Sequence, residues 1–326
     1  MWITRFEAMN RQLIHVARPA MGSLFEIYAG GDDLEAVEHA AYDALDRVGW
    51  LEQQLSHFLP ESDVSQINAR AYQEPVPVAP NLFALLVRLR RLSLETEGAF
   101  DPTAGKLVRT WGFFRRGLLR GERVTPPQPE RIAAIVQQIG WRYVQLDEAQ
   151  QTIRFLTPEI ELHLGAVGKG FIVACAADFL RSAGISCALL HSGYSSIVAL
   201  GKPPSSAGWP IGIPDPQEEG RQLAVVQLRD AALSTSGSAE QFILAEGTRV
   251  GHLFDPRTGQ PVGGEYSVSV LSPDAAEGDA LSTAFAVQGV EWARAYCQAH
   301  PGVKALFALP DPQGTYCLTR IGTDWD

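Results

Sequence analysis

Between residues 34 and 92 apolar side chains return every three or four positions, whereas beyond Tyr143 they come in short runs separated by turn residues. No other feature constrains the fold as strongly, because a helix repeats its face about every 3.6 residues and a strand every two. Leu34, Val37, Ala41, Leu45, Val48, Leu51 and Leu55 form one stripe, opened by the acidic pair Asp32-Asp33, and predict a long helix. Leu82, Leu85, Leu86, Leu89 and Leu92, preceded by Asn81, predict a second that Gly98 stops. Pro129-Glu130-Arg131 starts a shorter helix ending at Gly140, and residues 115–129, rich in Arg, Gly and Pro, read as a surface excursion.

Past Tyr143 the pattern turns to strands. Tyr143–Leu146 and Thr152–Leu156 predict a pair with Asp147-Glu148 near its turn. Residues 165–184 read as a glycine-bearing loop feeding a helix, with short strands at Ala188–Leu190 and Ile197–Leu200 around a Ser/Gly turn. Val225–Leu228, Val268–Leu271, Ala305–Leu309 and Tyr316–Leu318 add strands, and Asp279–Gln288 reads as helix. Pro203-Pro204-Ser205-Ser206 and Pro214-Asp215-Pro216 are loop signals and not linkers, and no repeat is present. The fold class is α+β, with mixed, mostly antiparallel sheets and packed helices, in a single domain over residues 1–326.

The formal net charge of −10 makes the chain a poor holder of a nucleic-acid backbone, which requires clustered Lys and Arg. A small phosphorylated ligand stays open, since one lysine, a metal ion and backbone N–H groups suffice for it. Cys175, Cys187, Cys297 and Cys317 stand in no C-x-x-C pair and read as small core residues in a reducing compartment. The first thirty residues hold no unbroken apolar stretch or lipobox, and no run approaches a membrane span of about 20 apolar residues. The residues given read as a cytoplasmic chain, or as an exported one whose signal has been removed.

Five segments carry chemistry. Asp279-Ala280-Leu281-Ser282-Thr283 places a carboxylate and a hydroxyl one helical turn apart. That spacing suits either a hard divalent ion or a first-turn acid followed by a back-bonded threonine. Leu164-Gly165-Ala166-Val167-Gly168-Lys169-Gly170 precedes a helix and suits phosphate, without Walker A spacing; Lys169 is otherwise a solvated cap. In Gly251-His252-Leu253-Phe254-Asp255-Pro256-Arg257-Thr258-Gly259, His252 and Asp255 form either an acid–base pair or parts of a turn. Ser234-Thr235-Ser236-Gly237 and Phe100-Asp101-Pro102-Thr103 read as polar turns.

Taken in order, these segments resemble the FAD:protein FMN transferases, the ApbE-like family. The resemblance spans nearly the whole chain, from Met21-Gly22-Ser23 through Leu55-Ser56-His57-Phe58 and Ser62–Asn68, then Gly98–Thr103, to Asp279–Thr283. It implies a flavin-transferase fold with a nucleotide cleft between lobes, FAD as substrate, Mg²⁺ against the pyrophosphate, and AMP release. The FMN half would pass to a Ser/Thr hydroxyl in the flavinylation motif of an acceptor protein, and some members of the family also act as FAD pyrophosphatases, giving FMN and AMP. Carried over by motif, Asp279, Ser282, Thr283 and the Ala166 carbonyl fall on metal positions. Met21, Phe58, Ala99, Phe100, Asp101, His163 and Lys169 fall on flavin-nucleotide positions. His252 is the candidate general base, with Asp255 to orient it.

The resemblance departs around the glycine–lysine segment. His163 stands where the family has Asp, Ala174 where an acid is common, and Ser192 where a glycine is usual. Either the binding mode is adjusted, with His163 and His191 compensating each other, or transfer is weakened and the chain is a non-catalytic FAD binder. A hydrolase built on Ser192 or Ser195 with His191 lacks the G-x-S-x-G elbow.

Overall fold

The computed structural model describes residues 13–113, 121–204, 206–215, 218, 220–238, 242–323 and 325. Residues 1–12 of the opening stretch and 114–120 at and within the excursion lie outside that set, as do Ser205 and Pro216 of the two loop signals.

The first two strands, β1 (Leu13–Ala20) and β2 (Ser23–Gly30), form a hairpin that the helical reading of the N-terminal half had not anticipated. Its two-residue turn is Met21-Gly22, both at positive φ (52° and 69°). That geometry matches the twist of the flanking strands. Short strands β3 (Val76–Pro77), β4 (Glu122–Val124), β5 (Val144–Asp147) and β6 (Thr152–Phe155) follow. Then come β7 (Cys187–Ser192), β8 (Ser196–Leu200), β9 (Trp209–Pro214), β10 (Gln222–Leu228), β11 (Ala231–Gly237), β12 (Phe242–Ala245) and β13 (Thr248–Gly251). The last are β14 (Ser267–Ser272), β15 (Lys304–Pro310) and β16 (Tyr316–Ile321).

One sheet takes eight of these strands in the order β1-β2-β7-β8-β11-β14-β15-β16, and every adjacent pair is antiparallel. Three small sheets, β3-β6-β5, β13-β12-β4 and β9-β10, complete the strands, with β4–β12 the parallel pairing. The α+β class with mostly antiparallel pairing therefore holds.

Helix α1 (Leu34–Leu55) starts where Asp33 accepts from the N–H groups of Glu35 and Ala36, each at 3.1 Å. Val37, Ala41, Leu45, Val48, Leu51 and Leu55 are buried as their spacing predicts, and Leu34 is exposed at the first helical position. Each buried Val or Leu contributes roughly 1.5–3 kcal/mol. After α2 (Asp63–Arg70), α3 (Pro80–Glu95) begins one residue before Asn81, because proline is preformed for the first helical position. Asn81 instead donates to Gln54 Oε1 of α1 at 2.6 Å.

The shorter helices are α4 (Gly105–Thr110) and α5 (Pro129–Val136), the latter ending before Gly140. Helices α6 (Gly168–Ser182) and α7 (Ala275–Gln288) pack together on the sheet face that α1 also covers, and α8 (Val290–Ala299) follows α7. The opposite face of the sheet carries the β9–β10 ribbon through Trp209, Ile211, Ile213, Val226 and Leu228. No described helix is long and apolar enough to cross a membrane.

Two expectations are corrected. Ser234–Gly237 is the end of strand β11 and not a turn, because its serines face a polar corner that hides the apolar alternation of a strand. The last long helix begins at Ala275, capped by Asp274, which accepts from Glu277 N at 2.9 Å. Asp279 consequently lies in the second turn and is neither a cap nor a first-turn acid.

Candidate functional site

A cleft of about 800 Å³ opens where the β1–β2 turn, the ends of β8 and β11, the start of α6 and the second turn of α7 converge. The strand pleat selects what faces it. In β11, Ser234 and Ser236 turn toward α7, and Ser196, paired with Ser234 on β8, turns the same way.

These hydroxyls surround Asp279. Ser196 Oγ donates to both carboxylate oxygens, at 2.8 and 2.9 Å, and Gly170 N donates to Oδ2 at 2.8 Å. Burial pushes Asp279 up to about 6, against the opposing pull of hydrogen bonds from Ser234, Ser196 and Gly170 N and the charge of Lys169. A buried carboxylate so raised lacks a full countercharge. Ser236 Oγ lies 2.8 Å from Ser282 Oγ and 3.3 Å from Thr283 Oγ1, so Asp279, Ser282 and Thr283 share one oxygen-rich corner. Ala166 lines the same cleft.

Lys169, the second residue of α6, sends Nζ to Ser195 Oγ at 2.5 Å. Gly170 lets α6 approach α7: a Cβ there would lie 2.3 Å from Ala275 O and 2.7 Å from Asp279 Oδ2. That contact requires glycine.

The opposite wall is aromatic and imidazole-rich. Phe58 is partly exposed into the cleft, its ring 3.9 Å from that of His57, which lies 4.6 Å from His163. Burial pushes His57 down to about 4 and His163 to about 3, with neighbouring positive groups adding to the effect. Both rings are neutral at neutral pH. Ala99 and Phe100 are buried in the wall beneath. Asp101 follows, its Oδ1 accepting from Thr103 N at 2.9 Å, and burial raises it to about 6. Met21 holds its strained φ while its N–H donates to Glu52 Oε1 at 2.6 Å.

His252 lines the cleft just beyond β13, and Asp255 does not. Arg257 Nε and Nη2 take the two Asp255 oxygens at 2.8 and 2.9 Å, and Arg257 N donates to Oδ1 as well. Asp255 shapes its turn and is committed to Arg257. His163 and His191 are not brought together: His163 packs on His57, while His191 faces Glu26 at 3.6 Å. No Ser–His pair forms for a hydrolase, since His191 Nδ1 and Ser192 Oγ are buried without a hydrogen-bond partner among the described residues.

Sequence reasoning gave no role to Ser196, Glu52 or the Gly170 N–H. Their only signal is local: a serine opening an apolar strand, a glutamate on the stripe side of α1, and a glycine inside a helix.

A lysine at a helix start and a buried carboxylate ringed by hydroxyls, in a cleft of nucleotide size, have the chemistry to hold phosphate on an α+β scaffold. The ApbE family model matches residues 21–307, and the chain belongs to that family. It is 33% identical over 315 residues to the FAD:protein FMN transferase of Treponema pallidum, covering 90% of this chain and 84% of that protein. With the FAD:protein FMN transferase of Rhodobacter capsulatus it shares 34% identity over 308 residues, covering 92% of this chain and 56% of that protein. The crystal structure of the ApbE protein of Thermotoga maritima superposes with a TM-score of 0.84 at 26% identity, covering 95% of this chain and 97% of that one.

Proposed function

We propose that this chain transfers the FMN half of FAD to a Ser or Thr hydroxyl of an acceptor protein and releases AMP. The buried Asp279 carboxylate, set among hydroxyls in the cleft and facing Lys169, carries this reading. Among the described residues no three His, Cys, Asp or Glu side chains gather to hold a metal. A cation at Asp279 would therefore take one carboxylate plus neutral oxygens and complete its shell with water and phosphate, which suits Mg²⁺. Asp279, Thr283, Ser282 and the Ala166 carbonyl would hold it. Bound there, Mg²⁺ supplies charge neutralisation at the pyrophosphate.

The remaining work falls to the protein's own groups. The acceptor oxygen attacks the phosphorus of the FMN phosphate, and the bond from that phosphorus to the bridging oxygen breaks, leaving AMP. His252 takes the hydroxyl proton, and Lys169 Nζ, steered by Ser195, balances charge on the phosphates. The neutral His57–His163 wall and Phe58 offer flat, uncharged surfaces to a ring system. Asp255, bound to Arg257, keeps the turn carrying His252 in place.

His252→Ala is expected to slow transfer by roughly 10²-fold or more while leaving FAD affinity within about twofold. Single-turnover kinetics beside a flavin-fluorescence titration measure both, and unchanged turnover would remove His252 from the reaction. The reading as a whole is tested by incubating the protein with FAD and a Ser/Thr-containing acceptor, with Mg²⁺ or with EDTA. Metal-dependent covalent flavin on the acceptor supports it, and tightly bound intact FAD with no labelling would favour a binder.

A further inference from the structure

On the sheet face away from α1, α6 and α7, a second cavity of about 260 Å³ opens between β7, β8 and β11 and the β9–β10 ribbon. Strand alternation produces it. Ser234 and Ser236 of β11 turn toward Asp279 and α7, so Leu233 and Thr235 turn the other way, to join Leu189, Ile197, Ile211 and Ile213. No side chain with a permanent charge lines this cavity. Its one imidazole, His191, is pushed down to about 4 by burial and stacks on the half-exposed Tyr194 at 4.4 Å. Tyr194 holds φ 61°, an uncommon conformation for a bulky residue, and that conformation presents its ring at the cavity rim.

The cavity adjoins the cleft across the turn between β7 and β8. Gly193, Ser195 and Thr235 line both spaces, and Thr235 N donates to Ser195 O at 2.7 Å, fixing the turn that divides them. On the cleft side the same Ser195 holds Lys169. The cleft alone has the volume of a complete nucleotide site, which leaves the smaller apolar space to another occupant. The 193–195 turn lies beside Lys169, so a peptide that delivers a hydroxyl there has the cavity within reach of its neighbouring residues.

We propose that this cavity is the subsite for an apolar side chain of the acceptor segment, within a few residues of the hydroxyl that receives FMN. The proposal rests on the transfer reading above. The uncharged lining rejects an Asp or Lys at the same position, because a charge there would lose its water with nothing to pair it.

The test uses Ser-containing peptides in which each of three positions on either side of the serine is set in turn to Ala, Leu, Phe or Asp. Each is assayed with FAD and Mg²⁺ on the unaltered chain and on Ile211→Trp, which fills the cavity from β9 at a residue that does not line the cleft. At one position the unaltered chain is expected to favour Leu or Phe over Asp by about tenfold or more in kcat/KM. Ile211→Trp should raise KM for that peptide by about tenfold or more and erase the preference, with kcat and FAD affinity unchanged. A flat peptide series overturns the subsite on the unaltered protein alone, whether or not the variant folds. Weakened FAD binding in Ile211→Trp gives the cavity to the nucleotide and overturns it too. Peptides left unlabelled by the unaltered chain overturn the transfer reading, and the subsite with it, whereas labelling without preference removes the subsite only.

Discussion

Asp279→Asn is expected to abolish metal-dependent transfer, by on the order of 10³-fold, while making the metal-free protein more stable. The two effects share one cause. Burial raises the Asp279 carboxyl from 3.8 to about 6, so the folded protein holds that proton more tightly than the unfolded chain does. The stability this contributes is complete below about pH 4 and is lost as pH rises through about 6. Above that range the ionised carboxylate costs the metal-free fold roughly 3 kcal/mol. Asparagine removes the charge but keeps the shape, and its amide oxygen still accepts from Gly170 N while its nitrogen donates to Ser196 Oγ. Thermal unfolding in EDTA at pH 8 should therefore show Asp279→Asn melting a few degrees higher than the unaltered chain. Mg²⁺ should narrow that gap by stabilising the unaltered chain alone. An unchanged or lowered melting temperature would mean that Asp279 carries no uncompensated charge.

Gly170→Ala should do the opposite to stability and the same to activity. Alanine is the better helix former by about 1 kcal/mol, which taken alone would favour the variant. The new Cβ, however, would sit 2.3 Å from Ala275 O and 2.7 Å from Asp279 Oδ2. The first neighbour is backbone and cannot swing away, so α6 and α7 must separate. Overpacking of this kind costs about 1–3 kcal/mol and here outweighs the gain in propensity. Urea unfolding should show a net loss of stability, and transfer should fall even at temperatures where the variant stays folded, because Asp279 loses its Gly170 N–H. A variant as stable and as active as the unaltered chain would show that the helices have room to move apart.

Much of the framework was legible because it obeys simple periods. The stripes of α1 and α3 are long and regular, and the residues they nominate are buried with the exception of Leu34. The corner Asp279–Thr283 was legible as a spacing, although its helix starts at Ala275, a full turn before the Asp279 start read from the sequence.

What escaped the sequence has physical reasons. The serines of β11 belong to a strand, but a strand that faces a polar site carries no apolar alternation. Ser196 joins Asp279 only because β8 and β11 pair in the register that sets Ser196 opposite Ser234, and pairing between distant strands is not written in either one. Asp255 stands three residues from His252, yet the nearer Arg257 guanidinium claims both of its oxygens. Proximity in sequence suggested a pair, and a bidentate ion pair across the turn took precedence.

The central claim is that one cleft joins FAD cleavage to capture of FMN by a protein hydroxyl. The most direct measurement counts two products of the same incubation with FAD, Mg²⁺ and an acceptor: AMP by chromatography and covalent flavin on the acceptor by intact mass. The account predicts one flavin attached for each AMP released, with both vanishing in EDTA and in Asp279→Asn. Equal amounts of AMP and free FMN, with the acceptor unmodified, would contradict it.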